Sequence, residues 1–153
     1  MPLKVCVIPG DFHRRAGRSS AKAVGVLIMT ISQCLLYIGA AILAIWGVAH
    51  LVPTKHVVSG FGDIGEDNRN IIAMEWIVEG VLLLFMGMLI ALVTYVDAVH
   101  PVSSVVYGVS VVALLSLAAV AFFTGFKIKF LPFRMCPFVL LSCAVVIAAG
   151  GVF

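Results

Sequence analysis

The sequence predicts an all-α membrane protein, a bundle of four transmembrane helices, and three observations predict it. Of 153 residues, 63% are hydrophobic and only 11% carry a charge. The mean hydropathy is +1.20. The apolar residues are gathered into long runs separated by short polar links. A soluble domain carries about 25% charged residues and leaves much of its surface wet, so lipid must serve as the solvent for most of these side chains. Helices follow because an open sheet edge cannot be satisfied in hydrocarbon.

The first run extends from Val24 to Leu51. It exceeds the ~20 residues that cross a bilayer, so it tilts or projects. It is also too long for the ~7–15-residue core of a signal peptide, which favours a retained first helix. Before it lies a basic arm, residues 1–23, carrying Lys4, Arg14, Arg15, Arg18 and Lys22. Such an arm orients the first helix under the positive-inside rule or rests on anionic headgroups. The second run, 71–96, opens with Glu75 and Glu79; the third, 102–123, has no charge; the fourth, 135–152, starts near Pro137. Placing Pro137 in a first turn would cost no hydrogen bond.

The whole chain reads as a single transmembrane domain, multi-pass, in the cell membrane, with both termini on one side. The basic residues of the arm are matched by Lys55, Arg69, Lys127, Lys129 and Arg134 across the membrane. The first helix often dominates orientation, which puts the N-terminus in the cytoplasm. The net charge of +3 is small and gives no support to a nucleic-acid partner. The expected partners are the lipid bilayer and, because short helices enclose little interior, a second copy or a larger membrane complex. Gly39, Ala40, Ala44 and Gly47 on the first span, and Gly80 and Gly87 on the second, are small residues suited to close helix packing.

The polar loop 52–70 and the start of the second span hold the chemistry. Glu75 and Glu79 lie four residues apart and so share a helical face. Counted from Ile71, Glu79 is about 12 Å along the helix, inside or at the edge of hydrocarbon. A carboxylate there faces protein, a cation or a water cavity. His50, His56, Asp63, Glu66 and Asp67 return to the same side. The expected ligand- or proton-binding set is Glu75, Glu79, His50, His56 and Asp63. The plainer expectation is that Glu75 and Glu79 pair with Lys55 and Arg69 and pin the loop.

Other patterns exclude more than they indicate. Cys6, Cys34, Cys136 and Cys143 form no CxxC pair, which argues against a thiol-redox motif and favours cysteine as a small hydrophobe. His50 and His100 fall at opposite membrane faces, so they do not bracket one haem. Asp97 and His100 suit helix ends at the turn marked by Pro101. Gly60, Gly62 and Gly65 spell GxGxxG but lack the strand and βαβ unit that a dinucleotide site requires, so they read as loop turns. The residues specify no cofactor, leave any metal open, and contain no complete catalytic signature.

GVAHLVP (Gly47 to Pro53) closing the first span and MEWIVEGVLLLFMG (Met74 to Gly87) opening the second resemble the DoxX-like small four-helix membrane proteins. The resemblance places Glu75 or Glu79 at the acidic position and Gly80 and Gly87 at the small ones. It implies a membrane-embedded accessory or redox-associated role. The leading expectation is a non-enzymatic subunit or small-ligand-binding accessory of a membrane complex. Two alternatives accompany it: a transporter or channel for protons, cations or small cationic molecules using Glu79 and Glu75, and a membrane redox protein using quinone or haem.

Overall fold

A computed structural model describes residues 10–127 and 131–151. Its elements are α1 (Gly10–Leu51), α2 (Thr54–Ser59), α3 (Glu66–Asp97), α4 (Pro101–Gly125) and α5 (Leu131–Gly151). Four helices are long and apolar enough to cross a membrane: Gly25–Leu51, Glu66–Asp97, Pro101–Gly125 and Phe133–Gly151. The protein is an all-α four-helix membrane bundle. Residues 1–31 and 32–153 form two compact units. In the first, Gly10–Ile31 is helical; Lys4 and Cys6 of the expected arm lie outside the described residues, as does Lys129 of the last link.

In the second unit, the contacts of small residues give the topology. A methyl group placed on Gly47 would sit 2.7 Å from the Gly80 carbonyl, and one on Gly87 would sit 2.7 Å from the Ala40 carbonyl. Rising numbers on α3 meet falling numbers on α1, so the two run antiparallel with backbones touching. Gly39 meets Ile147 and Gly150 meets Ser32, which sets α5 antiparallel to α1. Thr94 bonds Tyr107 across α3 and α4, and Gly125 meets Phe133 across α4 and α5. The result is an up-and-down ring in which each spanning helix has two antiparallel neighbours.

The interior of that ring is apolar. Leu36, Leu43, Leu83, Ile90, Leu114, Leu140 and Ile147 are all within 1% of full burial. Large side chains face outward along every span, among them Phe85, Leu92, Val109 and Phe123. In lipid that outward face carries no penalty, which explains why the runs show so little amphipathic patterning.

Two elements differ from the sequence expectation. The loop 52–70 contains the short helix α2, which buries Thr54, Val57 and Val58; the Thr54 hydroxyl donates to the carbonyls of His50 and Leu51, continuing the end of α1 through Pro53. The fourth helix starts at Leu131, so Pro137 lies inside it rather than in its first turn. Pro137 therefore has no N–H to give the carbonyl four residues back. Arg134, expected in the link, is on this helix and lies 5.7 Å from the Phe126 ring centroid.

The glycine-rich loop has the expected turn role. Gly60 closes α2 with its N–H on the His56 and Val57 carbonyls, and Gly62 adopts a φ of 78°, a conformation that glycine takes without strain. Gly65 precedes the first turn of α3, where Glu66 and Asp67 complement the helix dipole. No strand occurs among the described residues.

Candidate functional site

The close Gly47–Gly80 approach brings the last turn of α1 onto the second span. His50, one residue before the end of α1, reaches Glu79 with Nε2 3.7 Å from Oε1. From α5, Cys136 places Sγ 3.8 Å from the same oxygen. One potential ligand atom from each of the three residues falls within 4.8 Å of the other two. Glu79 lies about 20 Å along α3, yet it is level with the ends of two neighbouring helices. It therefore sits at the edge of the bundle rather than at its centre.

The imidazole is held firmly. Its side chain is 4% exposed, and Nδ1 is 2.8 Å from the Trp46 carbonyl. A carbonyl only accepts, so Nδ1 carries a proton, and the nitrogen that can offer a lone pair is Nε2. The Trp46 ring meets it edge-on at 5.6 Å and the Trp76 ring lies at 4.5 Å, tilted by 30°. Phe133 also packs on Trp76, with ring centroids 4.9 Å apart. An imidazole so clamped cannot turn away from Glu79.

These residues form one end of a cavity of about 510 Å³ between α3, α4 and α5. Beyond the polar end its wall is apolar, with Leu82, Met86, Leu117, Val120 and Ala121. Glu75 borders the cavity as well and is exposed. Trp76, 8% exposed, also borders it, and its Nε1–H is buried without a hydrogen-bond partner. Leaving a buried donor unpaired costs about 1–3 kcal/mol, and the Nε1–H of Trp46 is buried in the same way, so a small ring movement that brought either donor to an acceptor would be favourable.

Of the residues expected at the site, the structure brings together His50 and Glu79 and leaves Glu75 at the cavity rim. His56, on α2, and Asp63, in the following loop, are exposed and stand outside the cluster. Among the described residues the close approach of a basic to an acidic side chain is that of His50 to Glu79; Lys55 and Arg69 do not bridge to Glu75 or Glu79. Cys136 was expected to be only a small hydrophobe, and Trp76 was not singled out at all. Span parity holds the missed signal: the fourth span starts on the membrane side where the first ends, so Cys136 and His50 share that side.

At the opposite end, Asp97 accepts from the Val99 N–H and His100 from the Val102 N–H. Both cap the turn, as the sequence suggested, and His100 is far from His50. No known protein family, curated protein or solved structure matches this chain.

Proposed function

We propose that this protein is a membrane-embedded binding protein for a small amphiphile, one with an apolar body and a carbonyl or hydroxyl oxygen at its head. The observation that carries the reading is the cavity itself: about 510 Å³, apolar along its walls, with polar groups and the unpaired Trp76 N–H gathered at one end. Pockets for small molecules have about this size and this distribution of polarity. The head would lie at the end lined by His50, Glu79 and Cys136, where a small movement of the Trp76 ring would let its N–H donate to the head oxygen, and the body would lie along Leu82, Leu117 and Ala121. This is the accessory, non-enzymatic role expected from the sequence, given a ligand class.

Passage of protons or cations is the weaker reading. Past Glu79 the bundle interior is filled by Leu83, Ile90, Leu114 and Ile147, each fully buried, and no polar line continues through it among the described residues. The DoxX-like resemblance is a further proposal; the segments that carry it supply His50 and Glu79.

The chain has two tryptophans, and both touch His50, so intrinsic fluorescence reports on this site alone. Titration of the detergent-purified protein with a decyl-substituted benzoquinone should quench that fluorescence saturably. Ala121→Phe, which fills the cavity, should abolish the saturable part. Equal, non-saturating quenching in both proteins would overturn the proposal.

A further inference from the structure

The polar end of the cavity has a chemistry that an amphiphile does not use up. His50 Nε2 offers a lone pair, Glu79 Oε1 a carboxylate oxygen and Cys136 Sγ a sulfur, each from a different helix. The 3.7 Å between nitrogen and oxygen is long for a direct hydrogen bond, and the 3.8 Å from sulfur to oxygen is a long, weak thiol bond. Both separations are close to the spacing of atoms that share a metal. Tetrahedral zinc bonds to nitrogen, oxygen and sulfur imply ligand–ligand separations of about 3.3–3.6 Å; with all three atoms within 4.8 Å of one another, closing on an ion needs movements of no more than about an ångström.

We propose that His50, Glu79 and Cys136 form a three-ligand site for a divalent ion of the zinc class, with its fourth coordination position opening on the cavity. Three features support it besides the distances. The Trp46 carbonyl on Nδ1–H fixes the tautomer that leaves Nε2 free to bind, the usual outer arrangement of a metal-bound histidine. The mixed nitrogen, oxygen and sulfur set suits zinc rather than magnesium or calcium, which take oxygen. The charges also close: binding releases the thiol proton, and a thiolate, a carboxylate and a neutral imidazole exactly offset the two positive charges of the ion. A neutral site is the form that the half-buried end of a bundle tolerates best.

This inference goes beyond the amphiphile reading and does not depend on it, because the three ligands are complete without an occupant of the apolar arm. The test uses the full chain in detergent, reduced with a phosphine, stripped with a chelator and dialysed. Cobalt(II) replaces zinc as the optical probe, and equilibrium dialysis with zinc gives the stoichiometry. One ion per chain and a thiolate-to-cobalt charge-transfer band are expected. Cys136→Ser should lose the band, and both Cys136→Ser and Glu79→Gln should weaken zinc binding at least about tenfold. Cys34→Ser, an exposed cysteine outside the cluster, should retain both signals.

Absence of the band in the wild-type protein at saturating cobalt would overturn the site, whatever the variants do. So would a band that survives Cys136→Ser, or zinc binding unchanged in Glu79→Gln. Size-exclusion profiles identify any variant that has lost its fold, and the two substitutions then serve as independent readings. Zinc binding without saturable quenching by the quinone would sink only the amphiphile reading, and the reverse result only the metal site.

Discussion

The two ends of the bundle treat polar groups differently. At the α3–α4 turn the buried polar side chains have conventional partners. Thr94 donates to the Ile90 carbonyl at 2.7 Å and so receives the Tyr107 hydroxyl proton at 2.9 Å. Ser103 donates to the Asp97 carbonyl, and Asp97 and His100 cap the turn. At the other end, His50, Glu79 and Cys136 face one another across gaps of 3.7 and 3.8 Å, and the Trp76 N–H is unpaired. Both ends are polar islands in an apolar protein. One is closed upon itself and therefore structural; the other has binding capacity left over.

That contrast predicts where substitutions will cost stability. Tyr107→Ala at the closed end should be the most damaging, at about 3–5 kcal/mol, because it opens a cavity around a fully buried ring. Thermal unfolding in detergent would measure it, and a loss below about 1 kcal/mol would mean that the closed end is not where the bundle is held. Gly80→Ala comes next, at about 1–3 kcal/mol. The added methyl meets the Gly47 carbonyl at 2.9 Å and the His50 Cβ at 3.0 Å, so it should also separate His50 from Glu79 and change tryptophan emission.

Tyr107→Phe removes only the hydrogen bond to Thr94 and should cost about 0.5–1.5 kcal/mol. Glu79→Gln should be the mildest in metal-free protein, within about 0.5 kcal/mol, since an amide oxygen can still accept the weak 3.8 Å bond from the Cys136 thiol. Zinc sharpens the difference. At a hundredfold excess over its dissociation constant, an ion stabilises the state that binds it by about 2.7 kcal/mol. Wild-type protein should gain that increment and Glu79→Gln should gain little of it, which the shift in melting temperature would show.

How much of this could be read from residues alone depended on range. The four spans were legible because hydropathy is a local property summed over a long window. The Asp97 and His100 caps were legible because a cap acts on its own neighbours, and the turns at Gly60, Gly62 and Gly65 for the same reason. Glu79 and His50 stood out because an ionisable group in an apolar run is costly wherever it lies. Cys136 did not stand out, because a buried cysteine is unremarkable until the residue opposite it is known. Trp76 did not stand out either, and only its packing on His50 and its unpaired N–H give it a part in the site. The short helix α2 was hidden by its proline and its charged neighbours, although Val57 and Val58 are buried. Pro137 misplaced the start of α5, since proline is tolerated at a first turn but does not require one.

The three candidate ligands come from α1, α3 and α5, and α4 supplies none. An ion bound there would act as a tripod head, fastening three struts of the ring at one point while the fourth is tied at the far end by Tyr107 and Ser103 and meets this end by packing. The cavity wall made by Leu117, Val120 and Ala121 belongs to that fourth strut. Tightening the tripod would therefore set the spacing of three walls of the cavity and leave the position of the α4 wall to its packing on α3 and α5.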